Sequence, residues 1–226
     1  MGAVADERLP KVVLRDHGRM PASLLRRRSP DPARQHGAWV YLFVSILAGV
    51  LSARGQGTIA ALFAGLSFVG VFVLTSALAV WPKPWRLRFV SGAAFAVASA
   101  GAGLLLGADP MFLVYSMVAC FPIAASVWFA MRQGFQSAPA LVFGVMGLAV
   151  AAPAAACAGG TSPKFGFLLL ALLAPFFAWR TWHARVALRE GEGWDRAKLK
   201  RLGLMEALYA ASWTVVSVGV VHLLAR

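Results

Sequence analysis

Long apolar stretches, separated by short polar connections, run along the chain from residue 38 to residue 225. A hydrocarbon core of about 30 Å is crossed by roughly 20 residues of α-helix. In lipid only a helix or a closed barrel satisfies its own backbone hydrogen bonds, and the continuous apolar runs indicate helices. The pattern therefore predicts an all-α, polytopic transmembrane helix bundle. Its seven predicted spans are residues 38–53, 57–81, 89–107, 111–131, 138–158, 165–179 and 203–225.

The positive charge of the connections alternates between heavy and sparse. Lys and Arg resist translocation, so an excess of them marks the cytoplasmic side. With seven spans, 19 of the 22 Lys and Arg residues fall on the side that holds the N-terminus, against three on the other side. This asymmetry predicts a cytoplasmic N-terminus and an outside C-terminus. Residues 1–37 are then a basic cytoplasmic leader, and residues 38–226 are the transmembrane domain.

The composition supports a membrane protein and narrows its partners. Hydrophobic residues make up 59% of the chain and charged residues only 14%, whereas about a quarter of a soluble protein is charged. The net charge of +13 lies beside the spans, which favours anionic lipid headgroups as partners and excludes nucleic acid. Cys120 and Cys157 show no spacing typical of a metal site or a redox pair, and both are predicted to be small buried residues.

Small residues recur at four-residue spacing in two predicted helices. Ser99, Gly103 and Gly107 form one ridge, and Ala61 with Gly65 forms another. Such ridges let helix backbones approach closely. We expect packing within the chain, and the alternative is a homodimer face.

Prolines lie inside the fourth, fifth and sixth predicted spans, at Pro122, Pro153 and Pro175. A proline removes one backbone hydrogen bond and tends to kink its helix. Kinks can line a cavity, as broken helices do in transporters. Simple tolerance of the prolines is the alternative interpretation.

Polar residues that could take part in catalysis or binding collect at the cytoplasmic ends of the spans and could form one pocket. Glu206 is the most informative, because a carboxylate inside a span is costly and usually faces a partner; Arg34 and Arg180 are the candidate partners. A structural ion pair, or a charge favoured by a helix N-terminus, would also explain it. His36 is a candidate acid or base, and with His183 a candidate haem or metal ligand.

The candidate catalytic residues are therefore His36 and Glu206. Basic and aromatic residues near them are the candidate substrate-binding residues: Arg34, Trp39, Arg132, Arg180 and Tyr209. A tryptophan at a span end is also typical of the aromatic belt at the membrane interface. No metal site is assigned, and the sequence names no cofactor.

Residues 35–39 read Gln-His-Gly-Ala-Trp and lead into the first predicted span. This run resembles the start of the YwiC-like integral membrane family, whose members typically carry Arg-Glu-His-Gly-Ala-Trp there. Residues 149–156 and 203–209 support the resemblance, which we expect to cover about residues 33–224. Gln35 replaces the usual glutamate, so the resemblance does not require a carboxylate beside His36. It implies a compact, multi-pass helical protein of the bacterial cytoplasmic membrane, and no particular activity.

Three functions fit the sequence. The first is the binding, or enzymatic conversion, of a lipid or isoprenoid whose phosphate headgroup is held by basic residues at the inner interface. The aspartate-rich magnesium motifs of intramembrane prenyltransferases are absent, because the only aspartates after Asp31 are Asp109 and Asp195. The second is a small transporter, suggested by the prolines and Glu206. The third is a non-catalytic partner in the assembly of another membrane complex.

Overall fold

The computed structural model describes residues 36–53, 57–78, 85–134, 137–190 and 196–225. Within these ranges the chain forms helices and short connections, without a β-strand. The helices are α1 (His36–Ser52), α2 (Thr58–Leu78), α3 (Trp85–Leu105), α4 (Met111–Gln133), α5 (Ala138–Ala149), α6 (Ala151–Ala158), α7 (Pro163–Glu190) and α8 (Arg196–Leu224).

The predicted helix bundle is confirmed, with six long spans and one shorter helix. The six stretches long and apolar enough to cross a bilayer are Thr58–Ala77, Arg86–Leu105, Met111–Gln133, Ala138–Ala158, Pro163–Val186 and Lys200–Leu224. Helix α1 has a shorter apolar stretch, Gly37–Ser52. Its 17 residues extend about 25 Å at 1.5 Å per residue, and it packs against α2, α6 and α8 inside the bundle.

The sixth span differs most from its prediction. Residues 165–179 were expected, but α7 continues to Glu190. The charged residues from Arg180 onward end the apolar run, yet they do not end the helix, because arginine and alanine are good helix formers. Helix α7 therefore carries charged side chains beyond its most apolar part.

The fifth span is the most buried of the six long spans and is interrupted at Val150, between α5 and α6. The Val150 N–H donates to the Gly147 carbonyl oxygen at 3.3 Å, a tighter turn than an α-helix makes. Pro153 has no N–H, so the Ala149 carbonyl loses its helical donor. All eight residues of α6 are buried. Pro122 and Pro175, in contrast, lie inside the uninterrupted helices α4 and α7.

The small-residue ridges pack within the chain. Ser99 is buried, and a Cβ atom on Gly103 would lie 3.4 Å from the backbone nitrogen of Ala64 on α2. Gly65 faces Ile46 of α1 in the same way. Gly107 does not belong to the ridge, because it follows α3 with a φ of +85°.

The two cysteines differ. Cys157 is buried in α6, as predicted, whereas the prediction for Cys120 is wrong because this residue is exposed. Helix α4 buries its neighbour Ala119, and adjacent residues on a helix point about 100° apart.

Successive spans run in opposite directions, with α5 and α6 forming one span, so the bundle has two distinct ends. We call the end where α1, α3, α5 and α8 begin the basic end, because most Lys and Arg residues of the described helices lie there, and the other the opposite end. Helices α1 and α8 pack side by side in the same direction, because Tyr41 contacts Glu206 and Leu51 contacts His222.

Candidate functional site

An ion pair joins α7 and α8 inside the bundle, near its basic end. Nη2 of Arg180 donates to Oε1 of Glu206 at 2.5 Å, and Nε of Arg180 donates to Oε2 at 3.1 Å. The two side chains are only 19% and 12% exposed. Two parallel hydrogen bonds fix the orientation of both groups. This pairing offsets part of the cost of placing two charges in a span.

Two tyrosines complete this site. The Tyr41 hydroxyl of α1 donates to Oε2 of Glu206 at 3.3 Å. The ring of Tyr209 lies 4.3 Å from Cζ of Arg180, a distance at which its π face attracts the guanidinium. We call Tyr41, Arg180, Glu206 and Tyr209 the ion-pair cluster. It ties three helices together around one carboxylate.

Aromatic contacts hold the helices around this cluster. The rings of Tyr41 and Phe177 lie 4.7 Å apart. Trp213 stacks on Phe176 at 5.0 Å and donates its indole N–H to the Leu172 carbonyl at 2.9 Å. The backbone of α7 is thereby fixed against α8, which sets the spacing between Arg180 and Glu206.

Three predicted site residues, Arg180, Glu206 and Tyr209, meet in the cluster. Of the two predicted partners of Glu206, the structure pairs it with Arg180. Arg34 lies outside the described residues. For His36 the structure describes the backbone at the start of α1 and not the side chain.

The structure places Trp39 and Arg132 elsewhere. Trp39 packs between α1 and α2, with its ring 4.7 Å from that of Phe72. Two residues along a helix correspond to a rotation of about 200°, so Trp39 and Tyr41 face different neighbours. The guanidinium of Arg132 lies 4.4 Å over the ring of Trp128 on its own helix, α4.

Sequence reasoning missed Tyr41. A tyrosine five residues after His36 reads as part of the apolar first span. The available signal was its depth, because Tyr41 and Glu206 are each a few residues inside a span that begins at the same end. The sequence does not show that α1 and α8 are neighbours.

An apolar groove with a volume of about 580 Å³ lies between α4, the α5–α6 span and α7. Its lining includes Pro122 and Ala125 of α4, Phe143 of α5, and Ala171 and Pro175 of α7, and every lining side chain is apolar. Two of the three prolines singled out in the sequence thus border it. The groove lies at the middle depth of all three spans.

Among the described residues, the acidic, histidine and cysteine side chains do not gather at one place. In the part of the chain that the structure describes, no group of three or more such residues could hold a metal ion. His183 packs its ring edge-on against Trp179 at 4.8 Å and is exposed.

These helices and their buried ion pair define the class of the molecule: it is a polytopic, helical integral membrane protein. A family model described as YwiC-like protein matches residues 33–156, more than half of the chain, so the chain belongs to the YwiC-like family. The resemblance of residues 35–39 is thus confirmed, although the match ends in α6 and not near residue 224. No curated protein and no solved structure gives a significant match. Arg180, Glu206 and Tyr209 lie beyond the matched residues.

Proposed function

We propose that the protein binds a lipid or isoprenoid molecule at the cytoplasmic side of the bacterial cell membrane. The hydrocarbon chain of this molecule occupies the groove between α4, α5–α6 and α7, and its anionic headgroup lies at the basic end. The apolar groove is the observation that carries this proposal.

The size and lining of the groove suit a hydrocarbon chain. Ligand pockets commonly have volumes of about 300–1,000 Å³, and the groove has about 580 Å³. Its apolar walls offer no hydrogen bond to a polar ligand, whose burial there would be costly. Phe121 and Phe167, which also line it, are exposed. The groove is therefore open towards the membrane, from which a lipid chain enters.

Arg132 is the best-placed residue for the headgroup. It follows the groove residue Ala125 by seven positions, about 10 Å along α4. Its side chain is exposed, and Trp128 supports the guanidinium from one side. A planar guanidinium binds phosphate oxygens through two parallel hydrogen bonds. A phosphate or diphosphate at Arg132 would leave the attached chain within reach of the groove.

The test is mass spectrometry of lipids that co-purify with the detergent-solubilised protein. Ala125→Phe fills the groove, whereas Ala124→Phe is the matched control, because Ala124 is the exposed neighbour and does not line the groove. We expect the wild type and the control to retain one lipid species enriched over bulk phospholipid. Ala125→Phe should retain at least tenfold less of this lipid than the wild type, and Arg132→Gln should also retain less of it.

The same bulk phospholipid in all four proteins would contradict the proposal. Thermal unfolding of each variant shows whether a loss of lipid reflects an empty groove or an unfolded protein. A stoichiometric protein partner in every preparation, without an enriched lipid, would favour the third function, assembly of another membrane complex.

A second candidate function, transport of a small solute, rests on the ion-pair cluster. Charged residues within spans commonly mark ion or substrate paths. Transport predicts solute uptake by proteoliposomes under an ion gradient, lost in Glu206→Gln and kept in Arg201→Gln, which removes an exposed charge of the same helix. Equal uptake by both variants would exclude the cluster from the path.

A further inference from the structure

Four hydroxyl groups on α1 and α8 are buried without a hydrogen-bond partner in the protein: those of Ser45, Ser52, Thr214 and Ser217. Each of these residues is at most 2% exposed. A buried hydroxyl without a partner is costly, and the cost is greatest where lipid replaces water around the protein.

Hydroxyl groups on α2 behave differently. Ser67 donates to the Ala64 carbonyl at 2.6 Å, and Thr75 and Ser76 likewise donate to carbonyls three residues back. This local bond is the usual solution for a serine or threonine in a helix. The four hydroxyls of α1 and α8 do not use it, so they are available to another partner.

The register of α1 and α8 places these hydroxyls at successive heights, from above Glu206 to about the height of His222. Tyr41 bonds Glu206, 165 positions later, and the Leu51 carbonyl contacts His222, 171 positions later. The offset between level residues therefore grows from 165 positions near Tyr41 to 171 positions near Leu51. Ser45 lies four residues after Tyr41, so it is level with the turn of α8 that leads to Thr214. Ser52 directly follows Leu51, so it lies beyond Ser217, at about the height of His222.

The four hydroxyls also lie on the faces by which α1 and α8 enter a common core. Tyr41 and Ala48 of α1 pack in one cluster with Ala210 and Val221 of α8. Ser45 lies four residues after Tyr41 and three before Ala48, and such spacings share one helix face. Thr214 follows Ala210 by four residues, and Ser217 precedes Val221 by four. The hydroxyls thus rise in steps from the ion-pair cluster along the faces that α1 and α8 turn towards this core, which also contains residues of α5, α6 and α7.

We infer that the α1–α8 interface holds a file of water molecules that conducts protons between the opposite end of the bundle and the Glu206 carboxylate. Buried water commonly bonds two to four polar groups that lack protein partners. Glu206 stands at one end of the file, with Arg180, Tyr41 and Tyr209 around it, and its partly exposed side chain relays each proton to water at the basic end. At the other end stands the exposed His222. The inference goes beyond lipid binding and uses neither the groove nor Arg132.

The test measures proton flux into proteoliposomes that contain a pH-sensitive dye, with a potassium gradient and valinomycin as the driving force. Wild-type protein should conduct protons at least tenfold faster than empty liposomes. The triple variant Ser45→Ala, Thr214→Val, Ser217→Ala removes three hydroxyls with little change of shape. We expect it, and Glu206→Gln, to reduce the flux at least tenfold.

The matched control is the triple variant Ser67→Ala, Thr75→Val, Ser76→Ala, which removes three locally bonded hydroxyls of α2 and should conduct like the wild type. Wild-type flux equal to that of empty liposomes, or equal flux in both triple variants, would overturn the inference. Monodisperse elution and helical circular dichroism establish that each variant is folded. Lipid retention by the α1–α8 triple variant reports separately on the groove.

Discussion

Glu206 is one of only nine acidic residues in a chain with 22 Lys and Arg residues. Its two carboxylate oxygens accept hydrogen bonds from Arg180, and one of them also accepts from Tyr41. Each partner compensates the other, so the removal of one leaves a charge that is largely buried and poorly solvated. The stability of the bundle therefore depends on both members of the pair being present.

The change Glu206→Gln, or Arg180→Met, should lower the free energy of unfolding by about 3–5 kcal/mol, the usual cost of breaking a buried pair. The double variant should lose less than the sum, with a coupling of about 1–3 kcal/mol, because it leaves no lone charge. Unfolding in mixed micelles measures both values. Strict additivity would contradict the coupling, and Arg201→Gln, at an exposed site, is the control.

Thr161 satisfies a buried backbone group at the opposite end. Its hydroxyl donates to the Ser52 carbonyl at 2.6 Å, where α1 ends. Thr161→Val keeps the shape but removes this donor, so we expect a loss of about 1–3 kcal/mol in the free energy of unfolding. Ser162→Ala, at the exposed neighbouring position, should change it little. Equal unfolding curves for both variants would show that the bond is not stabilising.

Individual residues were predictable where their chemistry is unusual for their surroundings. A carboxylate within an apolar run requires a partner, and Arg180 was one of the two candidates for Glu206. Tyr41 was not predictable in this way, because tyrosine is common near a membrane interface and needs no special partner there. Its role depends on the neighbouring helix.

At the scale of elements, α2 and α3 form a tightly packed pair. A Cβ atom on Gly92 would lie 2.6 Å from the Leu74 nitrogen and 2.8 Å from the Gly70 carbonyl oxygen. Gly70 meets the α3 backbone in the same way, at Ala96. Because backbone atoms cannot move aside as a side chain does, the helices would have to separate to admit a methyl group.

Gly92→Ala should therefore lower the free energy of unfolding by about 1–3 kcal/mol through overpacking. Gly101→Ala, on the same helix, is the matched control, because nothing lies within 4 Å of the added Cβ. There the higher helix propensity of alanine should stabilise the protein by up to about 1 kcal/mol. The thermal unfolding temperatures of the two variants should shift in opposite directions. A shift in the same direction would contradict the close contact of Gly92 with α2.

The ridges read from the sequence located only part of this packing. Gly103 packs within the chain as expected, against α2, but the closest approach of α2 and α3 occurs at Gly70 and Gly92, which lie outside the ridges read from the sequence. A close approach requires small residues on both helices at the same height. That coincidence depends on how the two helices are aligned, which one helix alone does not reveal.

At the scale of the whole molecule, the charge asymmetry predicts the orientation of the bundle. Lys164 and Arg201 are exposed at its two ends. In a Cys120→Ala background, a membrane-impermeant maleimide should label Lys164→Cys in intact cells. It should label Arg201→Cys only after permeabilisation, because the proposed orientation places the basic end in the cytoplasm. The reverse pattern would invert the topology.

The sequence by itself determined that lipid surrounds the protein, that the fold is helical, and approximately where each predicted span lies. These properties follow from local composition, because a backbone in lipid must bond within its own helix. Only the tertiary structure decided that α1 lies beside α8, that Tyr41 and Arg180 share one carboxylate, and that three spans line a groove. The order of helices along a chain leaves their order in the bundle undetermined, since side-chain packing between distant segments selects the neighbours.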